Sequence, residues 1–197
     1  MTTATTEEIA VGGRPEGMSM PLLGMVLFIA SEVMFFGGLF AAYFNIRAQA
    51  PEWPPAGLEH LHASVPGFFT VLLLLSSVTM QMAVFAIRRG NVRALTRWTA
   101  VTIVLGVVFL CGQIYDYSTL DFTIRDGVYG STFYTLTGFH GVHVSVGIIM
   151  LLAVVGMISR DRIPGDRAEV VELVGLYWHF VDIVWIVIFT LVYLIPA

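Results

Sequence analysis

The chain has no lysine, a single cysteine, and charge on only 12% of its 197 residues. Cys111 lies inside an apolar run, so an intrachain disulfide and a cysteine-cluster metal or iron–sulfur site within the chain are excluded. Charge this sparse is about half the share of a soluble domain. It leaves too few polar groups to cover a globule in water, which excludes a cytosolic enzyme, a nucleic-acid binder and a disordered protein. All ten basic residues are arginine, a bias in keeping with a GC-rich bacterial genome. The formal charge of −4 is modest and points to no polyanionic partner. There is no Gly-rich phosphate loop, no Ser-His-Asp order and no cysteine nucleophile beside a base. Internal repeats and low-complexity segments are absent too.

Apolar side chains fill the space. Hydrophobic residues make up 57% of the chain, and the mean hydropathy is +0.82. Five runs approach or exceed the roughly 20 residues that cross a hydrocarbon core about 30 Å thick. They cover residues 21–44, 65–87, 98–115, 130–158 and 170–194, the third being the shortest. In lipid the backbone must satisfy its own hydrogen bonds, and runs this long do so as helices. None alternates like a membrane β-strand. The expected fold is an all-α, polytopic membrane bundle of five transmembrane helices spanning 19–197, behind a polar cytoplasmic tail over 1–18. That tail carries Glu7, Glu8 and Glu16 against Arg14, without the basic-then-apolar layout of a secretory signal.

Arginines set the orientation. Eight of the ten fall on one side of the five spans: Arg14, Arg88, Arg89, Arg93, Arg97, Arg160, Arg162 and Arg167. Only Arg47 and Arg125 fall on the other. The positive-inside rule then places the N-terminus in the cytoplasm and the C-terminus outside.

Ionisable groups inside the bilayer are costly, and each needs a reason. Glu32 lies 11 residues after Pro21, roughly 16 Å into the membrane at 1.5 Å per residue. It reads either as a proton-exchanging carboxyl group or as an acid that hydrogen-bonds a neighbouring helix. His140 and His143 share a face of the fourth span, as do His179 and Asp182 on the fifth. With Glu32 these are plausible ligands for a metal in a helix bundle. They equally suit an interhelical hydrogen-bond network. His140 lies roughly 15 Å from one end of its span, and His179 and Asp182 about 13–18 Å from the opposite end of theirs. The antiparallel spans bring them to one depth, and the expectation is that they pair across the bundle without a metal. Tyr177, Trp178 and Trp185 alongside read as packing residues, or as hydrogen-bonding partners of the same network.

Longer motifs carry a resemblance. Ser31-Glu32-Val33-Met34-Phe35-Phe36 resembles the helix bearing the buried glutamate of subunit III of the haem–copper oxidases, and Trp53-Pro54-Pro55 resembles the loop that follows it. Asp126-Gly127-Val128-Tyr129-Gly130-Ser131-Thr132-Phe133 and Gly138-Phe139-His140-Gly141-Val142-His143-Val144 resemble that family's penultimate helix. Tyr177-Trp178-His179-Phe180-Val181-Asp182-Ile183-Val184-Trp185 resembles its last. Order and spacing agree over about residues 20–195, in the five-helix bacterial form of actinobacterial type. The seven-helix forms carry two further N-terminal helices that wall a lipid-filled cleft, and the motifs here begin at the equivalent of their third, which leaves lipid placement open.

The resemblance implies a non-catalytic subunit of an aa-type cytochrome c oxidase in the bacterial plasma membrane, an enzyme that reduces O2 to water and pumps protons. It implies no haem, copper or other metal in this chain, those centres belonging to subunits I and II. It implies packing on subunit I, contact with subunit II and the other oxidase subunits, and membership of a cytochrome bc-type supercomplex as a further option. Stabilisation during turnover, support of proton uptake and structural phospholipid follow in the same way. By position Glu32 matches the family's carbodiimide-reactive carboxyl. Glu172 matches a glutamate entering the last helix, and Arg160, Arg162 and Arg167 fall where the family meets anionic phospholipid headgroups. Two alternatives stay open: subunit III of a quinol oxidase, and a free-standing membrane metalloenzyme or transporter.

Overall fold

A computed structural model describes residues 18–55, 63–160 and 168–195. The five expected spans are five helices: α1 (Met20–Gln49), α2 (Ser64–Arg88), α3 (Val92–Thr119), α4 (Gly127–Ile158) and α5 (Ala168–Phe189). A π-helical turn over Thr190–Leu194 continues α5. All five are long and apolar enough to cross a membrane, and the described residues contain no strand. The tail up to Gly17 lies outside the described residues.

The third span departs furthest from its sequence bounds. Its apolar run is the shortest of the five, yet α3 has 28 residues and exceeds α2 with 25. Asn91 starts it early, its side chain accepting from the Ala94 N–H at 3.0 Å. Arg93 and Arg97 then lie exposed within the first two turns. Long side chains of this kind reach the aqueous boundary without interrupting the backbone ladder. At its far end α3 continues through Asp116, whose carboxyl group accepts the Tyr193 hydroxyl at 2.8 Å.

Local chemistry explains the other ends. Ser19 caps α1 by accepting from the Leu22 N–H at 3.3 Å, with Pro21 in the first turn, where no helical donor is lost. The α2–α3 connection is a tight turn in which Gly90 takes φ +69°, a conformation costly to residues with a Cβ. Asp126 precedes α4 and accepts from the Thr123 N–H at 2.6 Å and the Thr123 hydroxyl at 2.8 Å. These two donors, the backbone one first, hold the exposed Asp126 carboxyl below its ordinary range.

α2 packs along α3 and α5, α3 along α4, and α4 along α5. Trp178 of α5 is the largest fully buried side chain. It fits against Gly106 of α3 and Gly147 of α4, where a Cβ would come within 2.7 and 2.8 Å of its ring. Small residues let helices approach closely in lipid, where packing rather than water exclusion drives association. Trp178 and Trp185 also donate their indole N–H to α2, to Ser76 and Thr70, each at 2.9 Å. α1 is attached more lightly. It lies on α5 and α4 with only Phe36 and Tyr43 buried among its 30 residues.

Candidate functional site

The polar side chains inside the bundle form separate clusters. The first joins α1, α4 and α5. His143 Nε2 lies 2.9 Å from Glu32 Oε2, with side-chain exposures of 15% and 19%. His143 Nδ1 lies 2.6 Å from the Phe139 carbonyl oxygen one turn earlier. A carbonyl only accepts, so Nδ1 carries a proton and donates. The contact to Glu32 then holds one further proton. Either the carboxylic acid donates to Nε2, or an imidazolium donates to a carboxylate. In both cases the pair is neutral overall, which is the form a low-dielectric setting tolerates. The Tyr177 hydroxyl of α5 donates to the His143 carbonyl at 3.1 Å. Phe36 packs on the imidazole at 4.9 Å between ring centres. Glu32 thereby fastens the lightly packed α1 to α4, and Tyr177 extends the joint to α5.

The second cluster joins α2 and α5. The Ser77 hydroxyl lies 2.7 Å from His179 Nδ1, and Gln81 Oε1 lies 3.3 Å from His179 Nε2. The expected pairing between His140 of α4 and the His179–Asp182 face of α5 does not form. His143 turns to α1, and His179 turns to α2. His140 is fully buried with Phe109 edge-on at 5.7 Å and Trp185 at 4.7 Å, and neither of its ring nitrogens has a hydrogen-bond partner among the described residues. Both Asp182 oxygens are likewise buried, facing Ser77 without a well-formed hydrogen bond. The physical reason is helix rotation. His140 and His143 share a broad face, but the small angle between them directs one into the aromatic core and the other across to α1.

A third cluster lies toward the opposite rim from the arginines, and it includes groups the motif reading passed over. Besides accepting from Tyr193, Asp116 sits one residue before Tyr117. The Tyr117 hydroxyl lies 2.7 Å from Thr137 Oγ1. Gln113 donates to the Tyr117 hydroxyl at 2.9 Å and to the Thr137 carbonyl at 2.7 Å. The sequence signal was the spacing of Gln113, Asp116 and Tyr117 on one helix face, at the edge of the run that ended at Tyr115. Nearby, α1 serves carbonyls of the C-terminal π-helical turn and of the residue that follows it. Tyr43 donates to the Leu191 carbonyl at 2.8 Å, and Arg47 donates to that of Ile195 at 3.2 Å.

At the arginine-rich rim Glu172 accepts from Arg88 Nε at 2.7 Å, joining α5 to α2. Glu169 accepts from the Ser19 hydroxyl, joining α5 to α1. Arg160 is exposed beyond the end of α4, while Arg162 and Arg167 lie outside the described residues. Among the described residues no three His, Cys, Asp or Glu side chains are grouped as a set of metal ligands.

Comparison with known proteins covers nearly the whole chain. Residues 14–196 match the family profile described as Cytochrome c oxidase subunit III. A "Cytochrome c oxidase subunit 3" from Thermostichus vulcanus is 41% identical over 191 residues, which span 95% of this chain and 93% of that protein. A "Probable cytochrome c oxidase subunit 3" from Mycobacterium leprae is 43% identical over 197 residues, spanning 98% and 95%. The "Cytochrome c oxidase subunit 3" of Corynebacterium diphtheriae is 40% identical over 198 residues, with the same coverage.

Proposed function

The chain belongs to the cytochrome c oxidase subunit III family, and on that footing we propose that it is the non-redox third subunit of a cytochrome c oxidase. It packs on subunit I, keeps that subunit active during turnover, supports proton uptake and holds phospholipid. The observation that carries the reading is the near-complete match to proteins of this name. Those names favour cytochrome c over quinol as the electron donor. The separation of Glu32–His143, His140 and His179 onto different surroundings favours hydrogen bonding over a shared metal. Haem, copper and the oxygen chemistry belong to the partner subunits. The test is purification of the intact assembly in mild detergent through a C-terminal tag, with a visible spectrum and metal analysis. Haem and copper arriving with larger subunits support the reading. A lone polypeptide with stoichiometric metal rejects it in favour of a free-standing metalloenzyme.

The arginine-rich rim faces the cytoplasm in this proposal. Reporter fusions after Ile87 and after Ala197 are expected to report cytoplasmic and outside positions, respectively. A cytoplasmic C-terminus overturns the orientation.

The loop after α4 meets anionic headgroups, each charge contributing about 1 kcal/mol at an anionic leaflet. Neutralising Arg160, Arg162 and Arg167 together is expected to loosen the chain from the complex and reduce co-purified anionic phospholipid. Glu172 contributes by holding Arg88 and so fixing the start of α5 beside that loop. Unchanged lipid content and unchanged subunit retention remove the headgroup role.

A further inference from the structure

We propose that the first turns of α3 seat one anionic phospholipid, with its phosphate between Arg93 and Arg97 and an acyl chain descending past Val101. This seat is separate from the loop after α4 and rests on the chain spanning a membrane, not on its place in an oxidase.

A groove of about 580 Å³ lies on the outer face of α3, lined by Asn91, Arg93, Ala94, Arg97, Trp98 and Val101. Its charge is of one sign. Arg93 and Arg97 are four residues apart, so their side chains converge on one face. No carboxylate engages either among the described residues, and the nearby Arg88 is already taken by Glu172. Arginine's planar fork suits a phosphate, which it can grip through two N–H groups. The groove also carries no acidic side chain, so it repels no anion.

The depth profile matches a lipid rather than a free ion. Trp98 lies five residues beyond Arg93, about 7.5 Å deeper along the helix axis. Trp98 is 39% exposed, and tryptophan favours the headgroup–acyl boundary. Below it Val101, Val104 and Val108 follow at helical spacing, exposed by 42%, 60% and 37%. They form an apolar track that a free phosphate could not use. Cations above, an indole at the boundary and an open apolar track below reproduce the order of parts in an anionic phospholipid.

The test uses the full complex in nanodiscs of phosphatidylcholine with one-tenth phosphatidylglycerol, carrying a photoreactive benzophenone side chain in place of exposed Val104. Two surface charges, each worth about a fivefold preference for an anionic lipid, predict a twentyfold to thirtyfold enrichment of phosphatidylglycerol in the cross-linked lipid. That enrichment is expected to vanish with Arg93→Gln/Arg97→Gln and to survive, reduced, with Arg93→Lys/Arg97→Lys. Excess inorganic phosphate should not compete, because it lacks the chain that occupies the track. Cross-linking of the two lipids in proportion to their abundance overturns the proposal. So does competition by free phosphate, or a protein adduct at this position. Where the glutamine variant does not assemble, phosphatidylserine in place of phosphatidylglycerol decides the matter on the unaltered arginines. Equal enrichment supports the seat, and none removes it.

Discussion

Trp178→Ala is expected to release the chain from its complex at a much lower temperature than the parent. Trp178 is 1% exposed and links α5 to three other helices, lying against Gly106 of α3 and Gly147 of α4 and bonded to Ser76 of α2. Truncation leaves a cavity that the flanking glycines cannot fill, since they have no side chains to move into it. Core tryptophan truncations cost about 3–5 kcal/mol. The freed Ser76 hydroxyl limits its own loss by bonding the Leu73 carbonyl at 2.6 Å. Trp178→Phe keeps most of the ring and loses the indole donor, for a cost of about 1 kcal/mol plus a smaller packing term. Thermal release of the chain from the purified assembly, read by native electrophoresis, measures both. A Trp178→Ala variant retained like the parent would contradict the packing role.

Glu32→Ala is expected to detach α1 from α4. Few buried contacts hold α1, its bonds from Ser19, Tyr43 and Arg47 go to α5 and the residues after it, and the Glu32–His143 bond joins it to α4. Removing the carboxyl group leaves His143 Nε2 unpartnered and mostly shielded, at a cost of about 1–3 kcal/mol. Glu32→Gln behaves differently. With His143 Nδ1 donating to Phe139, Nε2 can accept from the glutamine amide in the position the carboxyl group held. We expect the Gln variant to assemble and turn over normally and the Ala variant to lose the chain during purification. The double variant Glu32→Ala/His143→Ala should recover part of the loss, because no nitrogen is then left unpaired. A Gln variant that assembles normally yet inactivates within few turnovers would assign Glu32 to proton handling rather than to attachment.

The sequence made the five helices legible because long apolar runs in lipid have few structural options. It misplaced the start of α3 because Arg93 and Arg97 read as loop charge, whereas arginine near a helix end reaches water from within the helix. Glu32 lies on α1, His140 and His143 on α4, and His179 and Asp182 on α5, where their apolar runs placed them. Their partners were another matter. Pairing depends on the rotation and lateral order of the helices, and α4 is apolar over most of its circumference, so no amphipathic stripe shows which side faces α1. That is why the expected pairing of His140 with α5 does not form, while His143 bonds Glu32. The Asp116–Tyr193 bond was hidden for a further reason. The π-helical turn at Thr190–Leu194 shifts the register of Tyr193, and regular helical periodicity carries no sign of it.

The most direct test of a non-redox, stabilising subunit is oxygen consumption by the purified oxidase before and after this chain is stripped from it, followed over many turnovers with the haem spectrum recorded alongside. The stripped enzyme is predicted to keep its haem spectrum and begin turning over, then lose activity progressively, with re-addition of the chain before turnover restoring its endurance. Loss of haem or copper with the chain, or a stripped enzyme that lasts as long as the intact one, would contradict that role.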